Sequence, residues 1–291
     1  MANFDLNAFI NTCKKELPKE MAKSIGLGSN LTQLTPEDFM TMPQWWVDLT
    51  KTPGLPYGQV VMIAGDTDSG KTSCAIQAMK AAQDQDVFVL YAETENKTTE
   101  SDFIKWGVDP AKVMTIRETI AERLYESLFT MIRMFKAANP KGKMLVIVDS
   151  MGNVVSQRSQ EMDLTSQSDK PGEKGKINRQ MLEILISLVR SNDATIATLL
   201  INYTYDNIGF AHGKTAAGGK GPAQFSSLIY QTQRKGTVFS NIEGIKTKTG
   251  AEVIWTLTKN HIYKDAPGAY KTTMRIDAEG IHVLDSQQTE E

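Results

Sequence analysis

The sequence predicts an α/β fold: a mostly parallel, twisted sheet with helices on both faces and an antiparallel C-terminal extension. Three observations carry this expectation. Short apolar runs at residues 60–64, 87–92, 144–148 and 194–201 alternate with helical patterns at 72–83, 120–138 and 176–191, as strands buried on both faces and joined by crossover helices do. From residue 226 onward the strand-like runs draw together, at 228–232, 237–239, 251–258 and 270–276, a spacing that suits antiparallel pairing. The 291 residues are 41% hydrophobic and 23% charged, an ordinary globular composition that excludes a disordered or collagen-like chain.

Taken in order, residues 3–24 read as an amphipathic helical segment. Phe4, Leu6, Phe9, Ile10, Cys13 and Leu17 fall at helical spacing, and Pro18 interrupts the run before Met21 and Ile25. Residues 29–52 are rich in Ser, Thr and Pro and carry Trp45 and Trp46, a connector expected to dock in places rather than run free. The regular core begins at Gly58, and there is no internal repeat. Two segments break the regularity. Residues 157–175 are polar, and residues 203–221 are rich in Gly, Lys and Thr. Each follows a strand and precedes a helix, which is the ligand-binding edge of an open parallel sheet, and loops of this length are usually functional or disordered. No apolar run approaches the roughly 18 residues that span a membrane. The N-terminus lacks the basic head and apolar block of a secretory signal. Cys13 and Cys74 are too few for a disulfide framework or a zinc site. The expected setting is therefore cytoplasmic, or the host cell interior if the chain is phage-encoded.

The strongest local signal is Gly65-Asp66-Thr67-Asp68-Ser69-Gly70-Lys71-Thr72, followed by Ser73, which fits G-x-x-x-x-G-K-[ST] in full. Its glycines allow a backbone curl whose N–H groups face phosphate oxygens, Lys71 reaches the β- and γ-phosphates, and the Thr72 hydroxyl ligates Mg²⁺. The following helix adds its positive N-terminal end. A chance match in a glycine-containing turn is the plain alternative, but the motif sits between a strand and a helix, where the chemistry needs it. Asp66 and Asp68 are unusual neighbours for phosphate and are expected to point outward. The apolar run 144–148 ends in Asp149, a carboxylate placed to support the metal; a simple turn cap is the alternative. Glu93 and Glu95 end the intervening strand. Either can serve as surface charge, but the strand-end position favours Glu93 as the group that deprotonates an attacking water.

The order of GLPYGQVVMIAGDTDSGKTS, VFVLYAETE, FIKWGVDPAKV, MLVIVDSMGNVV, ATLLINYTY, AAGGKGPAQF and IWTLTKNHI resembles that of RecA-type recombinases, and VDSMGN, INYTY and GGKGP look most like the bacteriophage UvsX-like branch. The resemblance covers about residues 53–281. It implies a RecA-like P-loop ATPase core using ATP and Mg²⁺, assembled as a helical filament on single-stranded DNA with ATP at the protomer interface. Such filaments pair with homologous duplex DNA and exchange strands in recombination and repair, and single-strand-binding and loader proteins are the implied helpers. Carried over by position, Lys71 and Thr72 bind phosphate and metal, Asp149 supports the metal and Glu93 is the general base. Residues 157–175 and 203–221 resemble the two DNA-binding loops. Arg179 falls where a helix presents an arginine to the DNA backbone, and Gly218 and Gly219 match glycines that receive a phosphate. Lys214 and Lys220 lie in the same loop, and Ile208 or Phe210 takes the place of a base-inserting residue, with loop packing as the alternative. Phe103 lies near the expected adenine-stacking position.

The resemblance also exposes departures. The lysine pair that reaches a neighbour's ATP is represented by Lys259 and His261, and the γ-phosphate sensor by Tyr203, with Asn202 as a substitute. Residues 1–52 read as an N-terminal helix and linker for protomer–protomer assembly, or as an internal docking helix, and 53–291 as the ATPase core. The chain ends soon after Ile281, so a C-terminal domain is expected to be missing or reduced to an acidic tail. A RecA-like paralogue or mediator that binds DNA without strand exchange, and a hexameric helicase motor, are the alternative functions.

Net charge is −2, from 32 basic and 34 acidic residues, which by itself argues against a blanket nucleic-acid binder. The distribution argues otherwise. Between His212 and Lys264, eight lysines and arginines face two glutamates, a local excess of +6 that leaves −8 elsewhere. Phosphate contacts need local positive charge rather than a high overall one.

Overall fold

The structure, a computed structural model, describes the chain apart from residues 1–3, 23, 29–33, 162–172, 191–193, 207–213, 218–220, 263–269 and 289–291. Its elements in chain order are α1 (Leu6–Glu16), α2 (Lys19–Ala22), β1 (Phe39–Thr41), α3 (Gln44–Thr50), β2 (Gly54–Pro56), β3 (Val60–Gly65) and α4 (Lys71–Gln83). Then come β4 (Phe88–Glu93), α5 (Glu100–Lys105), β5 (Val113–Arg117), α6 (Ala121–Ala138), β6 (Met144–Asp149), α7 (Gln157–Glu161) and α8 (Glu173–Val189). The last third holds β7 (Ile196–Asp206), β8 (Lys214–Ala216), α9 (Gly221–Phe225), β9 (Leu228–Ile242), β10 (Ile245–Asn260), β11 (Tyr270–Asp277) and β12 (Ile281–Gln288).

One 10-stranded sheet runs β12-β11-β10-β9-β3-β7-β6-β4-β5, with β8 paired to β7. Pairing is parallel from β9 through β5 and antiparallel from β9 out to β12, the α/β architecture with antiparallel extension that the apolar runs predict. The central strands are buried on both faces. Val61 and Ile63 point into a core closed by α4 and by Trp46, Tyr230 and Trp255. Val60, Met62 and Ala64 point into a second core closed by α6 and α8. Period-2 alternation thus serves two apolar layers at once.

Three details depart from the expectations. The runs 228–232 and 237–239 belong to one strand, β9, which forms a long hairpin with β10; register shifts at Lys248/Gly250, Glu252/Val253 and Leu257/Lys259 interrupt its pairing. Residues after Ile281 are not a tail as far as Gln288, because β12 pairs with β11. The fold also does not part at residue 52. β1 pairs with β2 across that point, Trp46 is fully buried with its indole N–H donating to Thr52 Oγ1 at 3.1 Å, and its ring meets Tyr230 edge-on at 5.6 Å. The connector from residue 39 is therefore part of the core.

The N-terminal helix behaves differently. Asp5 caps α1 by accepting the Ala8 N–H, yet no residue of α1 is buried. Phe4 and Phe9 are 71% and 52% exposed, so these two rings are not covered by the described residues of this chain. No helix of the described residues is long and apolar enough to cross a membrane.

Candidate nucleotide site

The sheet register brings the singled-out residues to one edge. Glu93 on β4 stands beside Asp149 on β6, Asp149 beside Ile201 on β7, and Gly65 on β3 beside both Tyr203 on β7 and Thr232 on β9. These are strand carboxyl ends, where open parallel sheets bind ligands.

The phosphate loop is held from within and from β9. Gly70 has φ of 75° and caps α4, a left-handed conformation in which glycine avoids the Cβ clash. A Cβ on Gly65 would collide with Thr232, so this glycine admits the adjacent strand. Ser69 Oγ donates to Asp66 O at 2.7 Å and shares a 2.6 Å hydrogen bond with Thr232 Oγ1. Lys71 Nζ donates to Gly65 O at 3.1 Å and Asp66 O at 2.5 Å, folded over the loop that it would exchange for phosphate. Burial lowers its pKa, against the charges of Asp149, Asp66, Glu95 and Asp68.

Beside the loop, the Thr72 hydroxyl donates to Asp149 Oδ2 at 2.8 Å, and the Tyr91 hydroxyl reaches the same oxygen at 3.3 Å. Asp149 is 6% exposed, and burial pushes its pKa up to about 6, against the hydrogen bonds from Thr72 and Tyr91 and the charge of Lys71. A hydroxyl and a carboxylate in contact at a cavity wall form the hard-oxygen half-site that Mg²⁺ takes up alongside substrate phosphates, so these residues fit that ion.

Glu93 is 2% exposed. Its Oε1 accepts the backbone N–H groups of Glu95 and Lys97, each at 3.1 Å. Oε2 is buried with no hydrogen-bond partner among the described residues, and the nearest cation, Arg117 Nε, lies at 3.8 Å. One oxygen fixes the group, and the other accepts no hydrogen bond among the described residues. Glu95 has a different setting: it pairs with Lys97 at 2.6 Å and accepts from Ser150 Oγ at 3.3 Å and from Asn153 Nδ2.

Two cavities that share Thr72 and Asp149 in their walls flank this centre. One, of about 480 Å³, is lined by Thr72, Glu93, Asp149, Trp106, Lys248 and Ile276 among others. Phe103 is not among its walls: it is 6% exposed and packs edge-on against Tyr91 at 6.0 Å. The expectation for Phe103 is corrected accordingly, because α5 turns that ring inward and leaves Trp106 at the cavity. Sequence reasoning missed Trp106, although an aromatic just past a short helix was a usable signal. The other cavity, of about 560 Å³, is lined by Lys71, Thr72, Asp149, Ser150, Asn202 and Tyr203 among others.

Tyr203 joins the bases of both irregular segments. Its hydroxyl donates to Gly152 O at 3.1 Å, and its ring packs where a Cβ on Gly152 would be. Asn202, fully buried, donates from Nδ2 to Ala217 O at 2.8 Å and accepts the Tyr203 N–H at 3.0 Å. Thr94, next to Glu93, exchanges hydrogen bonds with the Ser150 backbone. Hydrogen bonds joined by short stretches of backbone therefore run from Thr94, next to Glu93, to residue 217.

The remaining candidates fall in several places. Arg179 is exposed on α8, pairs with Glu183 at 3.0 Å, and its backbone packs against Gly221 at the start of α9. Lys214 lies in β8, opposite Asp206 of β7. Ile208, Phe210, Gly218, Gly219 and Lys220, with residues 162–172 of the first irregular segment, lie outside the described residues. Lys259 does not line the phosphate cavities; its Nζ donates to Ala223 O at 2.8 Å and Gln224 O at 3.1 Å. His261 is tied through its N–H to Ser227 O.

Protein RecA of Mycoplasma mycoides is 25% identical over 247 residues, covering 82% of this chain and 69% of the relative. Protein RecA of Malacoplasma penetrans is 25% identical over 213 residues, 72% of this chain and 60% of the relative. Protein RecA of Fusobacterium nucleatum is 26% identical over 212 residues, 72% of this chain and 52% of the relative. The matches thus span between about half and just over two thirds of those relatives. A family model, the RecA N-terminal domain, matches residues 18–268; it takes in the phosphate loop and every strand of the sheet through β10, and the chain belongs to the RecA family.

Proposed function

We propose that the chain is an ATP-dependent, single-stranded-DNA-binding recombinase of the UvsX-like branch, which forms filaments and promotes pairing and strand exchange. The observation that carries the reading is the trio at the strand edge: Thr72 bonded to Asp149, with Glu93, whose Oε2 accepts no hydrogen bond, lining the same cavity. In this reading the loop N–H groups and Lys71 hold the triphosphate, and Thr72 and Asp149 hold Mg²⁺. That ion supplies neutralisation of phosphate charge. Glu93 Oε2 orients the attacking water and accepts its proton, and Trp106 flanks the base.

The hydrogen bonds and intervening backbone that lead from Thr94, beside Glu93, through Ser150, Gly152 and Tyr203 to Ala217 support coupling between hydrolysis and the two DNA loops. Residues 157–175 and 203–221, with Arg179 and Lys214, supply the DNA contacts. The uncovered face of α1 with Phe4 and Phe9 supports a contact with a neighbouring protomer, whose ATP Lys259 would then reach. The test is ATP turnover with and without single-stranded DNA, together with electron microscopy in a non-hydrolysable ATP analogue. DNA stimulation lost in Lys71→Ala, with helical filaments, supports the proposal. Turnover indifferent to DNA and no filaments refute it.

A second reading is favoured by Tyr203, whose hydroxyl is engaged with Gly152 O, and by His261 in place of a second lysine. In that reading the protein is a DNA-binding paralogue or mediator without strand exchange. An exchange assay on homologous substrates separates the two, and rings with unwinding activity would point to a helicase motor instead.

A further inference from the structure

Two aspartates in a phosphate-binding loop are an electrostatic anomaly, because they repel the anion that the loop's N–H groups attract. The structure answers the anomaly with the β9–β10 hairpin. Asp68, at φ of 58°, faces two cations from that hairpin: Arg234 Nη1 lies 3.5 Å and Lys248 Nζ 3.7 Å from its Oδ2. The Arg234 backbone N–H donates to Asp66 Oδ2 at 3.4 Å, so one residue addresses both acids. The Arg234 side chain is itself steadied by donation from Nη2 to Thr237 Oγ1 at 2.5 Å. Lys248 and Asp68 line the same cavity as Gly70 and Thr72.

We propose that Lys248 is a phosphate contact for the nucleotide bound in its own subunit, held in reserve on Asp68, and that Arg234 positions the loop acids. The inference rests on the nucleotide reading above and adds a cation that the phosphate-loop motif does not contain. The physical basis is competition. Asp68 is 59% exposed and its partners stand at 3.5 Å and beyond, and exposed ion pairs of this kind are weak. A triphosphate in the loop offers several charged oxygens in the same cavity and takes Lys248 over from a single carboxylate. Asp68 then acts against nucleotide binding, as a competitor for Lys248 and as a like charge. A purely structural ion pair would give Asp68 the opposite sign.

The test is binding of ATP with magnesium, and separately of adenosine, to the full chain without DNA by calorimetry. Lys248→Gln is expected to weaken ATP about tenfold, the scale of one charged hydrogen bond, while Lys248→Arg stays near the parent. Arg234→Gln weakens ATP less than Lys248→Gln. Asp68→Asn, which keeps a side chain tolerant of positive φ, tightens ATP about threefold or more. Adenosine, lacking phosphates, is unaffected by all of these. ATP affinity unchanged in Lys248→Gln, or weakened by Asp68→Asn, overturns the proposal, as does an equal loss for adenosine. If neither the parent chain nor Lys71→Ala binds ATP, the nucleotide reading itself falls and this inference with it.

Discussion

Replacing Asp149 by asparagine should stabilise the nucleotide-free protein, and only at neutral and alkaline pH. The buried carboxyl has its pKa pushed from 3.8 to about 6, so the folded state binds its proton more tightly than the unfolded chain. Above about pH 6 both states are ionised and the fold carries the full cost of a buried carboxylate. Between pH 6 and 3.8 that cost fades as the folded form takes up its proton, and below 3.8 it is gone. A displacement of this size corresponds to about 3 kcal/mol. Asparagine is nearly isosteric, and its carbonyl accepts from Thr72 and Tyr91 as the carboxylate does. For a chain of this length the gain translates to a rise in Tm of roughly 6 °C. The assay is thermal unfolding of both proteins in chelator, at about pH 8 and about pH 4. Variant and parent melting together at the higher pH, or a gain that persists unchanged at the lower one, refutes the reasoning. Adding magnesium and ATP should reverse the order, because ligand binding stabilises only the form that binds.

Other outcomes follow from the same geometry. Glu93→Gln keeps the bonds from the Glu95 and Lys97 N–H groups but loses the proton acceptor, so turnover should fall about 10²- to 10⁴-fold with ATP binding retained; a matching loss of binding would mean that Glu93 acts in ligand recognition instead. Trp46→Ala removes a fully buried ring from between Tyr230 and Thr52 and should cost about 3–5 kcal/mol in urea unfolding; a cost below about 1 kcal/mol would mean that the 39–56 segment is peripheral to the core. Phe9→Glu leaves the exposed α1 intact as a helix and should shorten filaments without changing the affinity of the free chain for ATP, as sedimentation and calorimetry would report; filaments of parental length would remove α1 from the assembly contact.

The parts of the fold and site that were legible in the sequence are those where one physical demand dominates. Strands buried on both faces must be continuously apolar, so β3, β4, β6 and β7 stand out. A phosphate loop must have its glycines, lysine and hydroxyl in fixed order, and Asp149 and Glu93 follow as the ends of apolar strands. The outer half of the β9–β10 hairpin has no such demand. Residues 233–236 and 246–250 are polar and leave the core behind, and their register shifts break the alternation that would mark a strand. Phe103 was expected at the cavity and Trp106 stands there instead, because which of two nearby aromatics turns inward depends on how α5 meets β4. The approach of Arg234 and Lys248 to Asp68 depends on pairing across roughly 170 residues of chain, which local pattern cannot express.

That long pairing also bears on how the protein is made. Gly65 and Ser69 are finished by Thr232, and Asp68 by Arg234 and Lys248, so the loop written near the start of the core is completed by strands made much later. A ribosome adding about 5–20 residues per second needs on the order of ten seconds or more to reach β9 after the loop has emerged. For most of that interval β3 lacks both of its sheet neighbours, since β7 as well as β9 is made late, and nonlocal strand pairing of this kind folds slowly. The nascent chain thus carries the whole phosphate-loop sequence while its nucleotide pocket still lacks a wall, and competence to bind arrives late in synthesis, with the hairpin.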